Sequence, residues 1–116
     1  LRRALETAVP HPDAPENQAR LADIRLCLAN TFLMLDRHDD GLAECRRAFD
    51  IGRGTGTAGG REIAAIAAMH LGEAADEAPM RRRFYQVASQ LGRLSGRARG
   101  REVADTVDAR LREMAD

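Results

Sequence analysis

The chain contains no lysine and no tryptophan, and only three Phe and one Tyr among its 116 residues. Each shortage removes something. Without Lys there is no Schiff-base amine, no phosphate-loop lysine and no lysine general base. With 3% aromatics the chain is short of the side chains that fill sandwich and barrel cores, so composition speaks against an all-β fold. No stretch alternates apolar and polar residues with period two, as a half-buried strand would. No apolar run approaches the roughly 18 residues of a membrane-spanning helix. The chain opens at Leu1 without a signal-like segment or an initiator Met, which suggests a piece of something longer. Cys27 and Cys45 have no metal-ligand spacing and suit a reducing, cytoplasmic setting.

What is present is alanine, 21 residues of it, with 44% apolar and 31% charged residues overall. Small residues among helix formers predict an all-α fold of closely packed helices. The length suits one domain spanning residues 1–116, able to bury about two-thirds of its unfolded surface without a metal or disulfide. Net charge is zero: 18 arginines against 18 acids. An all-Arg cation set beside abundant Ala and Gly looks like GC-rich coding.

Breakers divide the chain. Residues 1–9 read as a short helix, ended by Pro10, Pro12 and Pro15. Asp13 can cap a second helix running to about Leu35, with Pro15 in its first turn. Asp39 or Asp40 can cap a third over 41–51, and the glycine-rich stretch 52–60 reads as a loop. Residues 61–71 read as helix ended by Gly72, Pro79 opens another to about Leu94, 95–100 reads as a connector, and 101–115 is the last helix. Five to six helices result. The 15–35 helix carries two apolar stripes, one of Leu21, Ile24, Leu28, Phe32 and Leu35, the other of Ala22, Leu26, Ala29 and Leu33. A helix apolar over that much of its girth must meet neighbours on two sides. The Pro79 helix shows a stripe of Met80, Phe84, Val87, Ala88, Leu91 and Leu94. The last helix shows only a narrow line of Val103, Val107, Leu111 and Met114, as a capping helix should.

Catalytic and cofactor motifs do not assemble. Gly54-Thr-Gly56-Thr-Ala-Gly59 is formally G-x-G-x-x-G, but a nucleotide-binding fingerprint needs a preceding strand, and here a helix precedes. His11, His38 and His70 lack a set of partner ligands at helical spacing, and Ser89 and Ser95 lack a nucleophile elbow. The cysteines read as small hydrophobes within a helix pair. No cofactor, metal or catalytic residue is expected, and the chain reads as a non-enzyme.

Charge is uneven. Residues 78–101 hold Arg81, Arg82, Arg83, Arg93, Arg97, Arg99 and Arg101 and no acid. The first six form a candidate basic patch, and a nucleic acid-associated domain of a transcription regulator is the alternative function they support. Zero net charge and the spread of these arginines around a helix make a solvated face the better reading.

The sequence also repeats. Leu1-Arg-Arg-Ala-Leu-Glu-Thr-Ala8 lines up with Cys45-Arg-Arg-Ala-Phe-Asp-Ile-Gly52, 44 residues later; Arg81-Arg-Arg-Phe-Tyr-Gln-Val-Ala88 is a looser copy 36 residues further on. Such periods indicate stacked helix pairs. Leu28-Ala29, then Phe32, Gly41, Cys45 and Ala48 resemble the tetratricopeptide repeat, with Arg25, Gly41 and Cys45 standing where that family prefers Trp, Ala and an aromatic. The likeness covers about three-quarters of the chain, in the style of repeat segments of actinobacterial regulators. It implies an antiparallel helix-hairpin array in a right-handed superhelix: a half repeat at 1–9, the best-formed repeat at 15–52, a degenerate one at 61–94 and a cap at 101–115. It further implies a protein or peptide partner held along the first helix of a unit, here Asp23, Leu26, Asn30, Leu33 and Met34. Asn30 matches one member of the carboxylate clamp that some relatives carry, but Leu26 stands where its Lys would be, so no clamp is expected. Leu1, Leu5 and Val9 would leave an apolar line on the opening helix, open to a homodimer.

Overall fold

The computed structural model describes residues 14–115, and within them the chain is five helices with no strand: α1 (Pro15–Met34), α2 (His38–Gly54), α3 (Ala58–Ala74), α4 (Ala78–Ser95) and α5 (Ala98–Ala115). The proposed half repeat at 1–9, its Leu1, Leu5 and Val9 line, and Asp13 as a cap lie outside the described residues. Consecutive helices pack as antiparallel hairpins, α1 on α2 and α3 on α4, with α2 also on α3 and α4 on α5. The first helices touch one another as well, α1 on α3 and α3 on α5, and no comparable contact joins α2 to α4. The expected all-α hairpin array is the observed fold. Its centre is α3, whose Ile63, Ala64, Ala65, Ile66, Ala67 and Ala68 are all buried.

Several boundaries differ from the sequence reading. α2 begins at His38 rather than 41, with Arg37 in the capping position and no side-chain cap; Asp39 and Asp40 sit in its first turn, where Arg37 Nε donates to Asp40 Oδ2 at 2.8 Å. Asp36, at φ 59, turns the chain between α1 and α2. Gly72 does not end α3; it lies buried within it because a Cβ there would stand 2.8 Å from the Tyr85 ring. Of the 52–60 stretch only residues 55–57 lie outside helix. α2 runs to Gly54 and α3 starts at Ala58. A Cβ on Gly52 would stand 2.6 Å from Gly60 O and 3.3 Å from Ala64 Cβ. These glycines therefore serve close helix approach, and burial pressure extends both helices into the stretch. The 95–100 connector shrinks likewise to Gly96 and Arg97.

The same corner occurs twice. Gly52-Arg-Gly-Thr-Gly-Thr-Ala-Gly-Gly60 and Gly92-Arg-Leu-Ser-Gly-Arg-Ala-Arg-Gly100 share Gly, Arg, Thr or Ser, Gly, Ala and Gly at identical spacing, 40 residues apart. Thr55 Oγ1 donates to Gly52 O (3.0 Å) and Ser95 Oγ to Gly92 O (2.6 Å). Each hydroxyl then accepts the amide two residues on, from Thr57 and from Arg97, both at 3.2 Å. Gly56 and Gly96 follow at φ 70 and φ 68, a region that side chains avoid. Gly92 meets Ala104 as Gly52 meets Ala64, at 3.3 Å from the position of an added Cβ. The structural period is therefore 40, and the looser copy at 81–88 is shifted by one helical turn from its true counterpart.

This period explains which faces are buried. On α4 the buried side is Tyr85, Ala88, Gly92 and Ser95, rotated from the expected stripe, whose Met80 and Leu94 are exposed. On α1 only Ala22, Leu26 and Ala29 are buried, while Leu21, Ile24, Leu28 and Leu35 are exposed. Ile24 corresponds to Ala64 and Ala104, each covered by the preceding helix; α1 has no described helix before it. The last helix behaves as expected, with Val103 and Val107 buried and Leu111 and Met114 partly covered.

Ion pairs tie the hairpins. Glu44 of α2 is buried between Arg25 of α1 (3.2 Å) and Arg47 (2.6 Å). Asp108 of α5 takes Ser89 Oγ at 2.6 Å and pairs with Arg93, both on α4.

Candidate functional site

The corner that joins α2 to α3 puts the first turn of α3 beside the N-terminal half of α1 and the start of α5. Thr57 caps α3 by accepting from Gly60 N at 2.9 Å, so the α3 terminus is closed by its own side chain. Between these three first helices lies an open groove of about 420 Å³. α1 contributes Glu16, Ala19, Arg20 and Asp23, α3 contributes Ala58, Gly59, Glu62 and Ile63, and Arg97 and Arg99 close the far side. Its size falls in the usual range for ligand clefts.

Charges of both signs line it. Glu62, with its side chain 12% exposed, stands 3.9 Å from Arg97 Nη1, a long ion pair. Gly59 leaves room for Arg97, whose guanidinium lies 3.6 Å from where a Cβ would be. Glu16, Arg20, Asp23 and Arg99 make no ion pair among the described residues. Carboxylates and guanidiniums without an ion-pair partner among the described residues offer ion pairing and hydrogen bonding to a bound chain, with an apolar strip at Ala19, Ala58 and Ile63 between them.

Of the five groove residues expected from sequence, only Asp23 lies here. Leu26 is 1% exposed and belongs to the core. Leu33 packs over the start of α2, 2.8 Å from where a Gly41 Cβ would stand. Asn30 is exposed on α1, and Met34 is exposed at its C-terminal end. The groove runs across the helix starts rather than along one helix. Arg97 and Arg99 enter it because the second copy of the corner carries arginine at the positions of Thr57 and Gly59; the 40-residue alignment was the signal that could have found them.

The six arginines of the basic segment do not form one patch. Arg81 Nη2 donates to Ala75 O at 2.7 Å, capping the end of α3. Arg82 is exposed on α4, and Arg83 faces a cleft toward α2. Arg93 is drawn to Asp108 on α5, and Arg97 and Arg99 belong to the groove.

Buried Cys45 and half-buried Asp108 both depart from their ordinary titration. Burial pushes the Cys45 thiol up to about 11, with neighbouring Glu44 adding to the effect, so it stays protonated at neutral pH. The Ser89 hydrogen bond holds the Asp108 carboxyl below its usual range, helped by Arg93 and opposed by burial. Among the described residues no group of His, Cys, Asp and Glu is placed to hold a metal ion. His38 is exposed, 3.6 Å from Asp36. No helix of the described residues is long and apolar enough to cross a membrane.

No known family matches the chain, and neither does any curated protein or solved structure.

Proposed function

We propose that the chain is a non-catalytic interaction module of the tetratricopeptide type, within a larger regulatory or signalling protein of the cytoplasm, and that it holds a protein or peptide segment in the α1–α3–α5 groove. One observation carries this reading: the groove presents carboxylates and guanidiniums that, apart from the long Arg97–Glu62 pair, have no ionic partner within the described residues. A folded chain gains little by lining a cleft with unpaired charges, whereas a bound segment of alternating charge would satisfy them. The test is selection from a displayed random-peptide library, followed by amide chemical-shift mapping of the best binders. Shifts clustered at Asp23, Ala58, Gly59, Glu62 and Arg99 are expected, together with a clear loss of affinity for Arg99→Glu. Absence of any selected peptide, or shifts confined to other faces, would refute the reading.

The nucleic acid alternative is disfavoured by the dispersal of its six arginines over five places. Fluorescence anisotropy with random duplexes at about 0.15 M salt, where the Debye length is about 8 Å, should show no sequence-dependent binding.

A further inference from the structure

We propose a second docking site on the other helices of the hairpins: the cleft between α2 and α4, which the structure suits to an acidic segment carrying a large apolar anchor side chain. The cleft measures about 280 Å³, small for a cofactor and suited to one or two side chains. Its floor is apolar. Phe49 lies buried at the bottom, its ring edge-on to Phe84 at 6.3 Å between centroids, and Val87 and Met80 flank them. Met80 is 49% exposed at the mouth.

The rim is cationic. Arg46 and Arg53 of α2 and Arg83 of α4 surround the opening. Arg53 stands 4.9 Å and Arg46 5.9 Å from the Phe49 ring centroid, so each guanidinium is stacked at the edge of the apolar floor. Arg46 shares its charge with Asp50 at 3.5 Å. Arg53 and Arg83 make no ion pair among the described residues. They are the two cations here whose charge is left for a partner. Their counterpart is a pair of carboxylates bracketing one Phe, Leu or Ile, a pattern that fills the floor and neutralises the rim together.

A phosphate backbone is the competing occupant, and the site argues against it. Phosphate tracking needs a continued row of cations. Beyond this rim Arg81 is committed to Ala75 O and Arg93 to Asp108, and the floor offers an apolar pocket that a sugar–phosphate chain would leave unfilled.

The experiment uses the whole chain and a fluorescent peptide of about twelve residues, Asp and Glu with one Phe and one Leu at its centre. Three probes accompany it: the same peptide with Ser for Phe and Leu, the same with Asn and Gln for Asp and Glu, and a single-stranded oligonucleotide of equal charge. The acidic apolar peptide is expected to bind with Kd on the order of 10 µM, and each of the other three at least about tenfold more weakly. Arg53→Glu with Arg83→Glu should weaken binding about tenfold or more, and Arg99→Glu in the other groove should leave it unchanged. Both rim arginines are exposed, so the double variant should keep its helicity and melting temperature. Equal binding of the Ser peptide or the oligonucleotide, indifference to the double variant, or no binding at all would overturn the proposal.

Discussion

Gly52→Ala and Gly54→Ala make the same chemical change two residues apart in one helix, and the structure gives them opposite signs. A Cβ on Gly52 would stand 2.6 Å from Gly60 O and 3.2 Å from Ala64 N, both backbone atoms of α3 that cannot swing aside. The helices must separate, and overpacking of this kind costs about 1–3 kcal/mol. Alanine returns up to about 1 kcal/mol through its higher helix propensity. The net expectation is a loss of about 1–2 kcal/mol, or about 4–8 °C in Tm for a domain of this size. Gly54 has nothing within 4 Å of its Cβ position. Only the propensity gain remains there, reduced at a helix end to about 0.5 kcal/mol of stabilisation. Gly92→Ala, one repeat later against Gly100 and Ala104, should follow Gly52→Ala in sign. Urea and thermal denaturation of the three variants beside the parent would measure this. A Gly52→Ala protein as stable as the Gly54→Ala protein would refute the close helix approach on which the 40-residue period rests.

Native-state alkylation at neutral pH should modify exposed Cys27 and spare Cys45, whose thiol is buried and pushed up to about 11; mass spectrometry of the intact protein should find one adduct, rising to two in urea. Asp108→Asn should cost about 1 kcal/mol at pH 7 by weakening the Ser89 and Arg93 ties between α4 and α5. Because the folded Asp108 pKa lies below its unfolded value of 3.8, its contribution is present above about pH 4 and fades as pH falls through the folded pKa, so the two proteins' urea midpoints should converge in acid. Arg25→Met should cost about 1–3 kcal/mol, since it leaves buried Glu44 with Arg47 alone; a parent-like midpoint would show that Arg25 contributes nothing to the hairpin.

The helices were legible because proline and the turn residues punctuate the chain, and α1 and α5 fall close to where periodicity put them. The glycines misled. A glycine-rich stretch reads as loop when each residue is taken alone, yet Gly52, Gly60 and Gly72 are buried in helices because each faces a backbone or ring at less than side-chain distance. That requirement comes from a neighbouring helix and leaves no local mark. The corner repeated at 52–60 and 92–100 was on the page as a sequence pattern, and it fixes the period at 40 where the arginine-led copies pointed to 44 and 36. The cleft proposed as the docking groove lies elsewhere than the groove expected from sequence. Matching one helix to a family pattern placed it along α1, whereas the corner carries Arg97 and Arg99 across to the start of α3.

Charge shows most clearly why a window of sequence is a poor guide to a surface. Arg81, Arg82 and Arg83 are consecutive, and each step around a helix is about 100°. One turns back to a carbonyl at the end of α3, one meets solvent and one rims the cleft beside α2. Arg93 is spent on Asp108, fifteen residues away in the chain and on another helix. What looked like seven cations in a row is a set of separate assignments made by helical phase. Net charge carries no more information, because a total of zero is reached whether every guanidinium has a partner or several have none. The informative quantity is the residue left over. Once the internal pairs are set aside, Arg20 and Arg99 remain in one groove and Arg53 and Arg83 at the other. Among the cations that line the two clefts, those four positions, scattered through the sequence and gathered by the 40-residue stacking, carry charge that no described residue pairs.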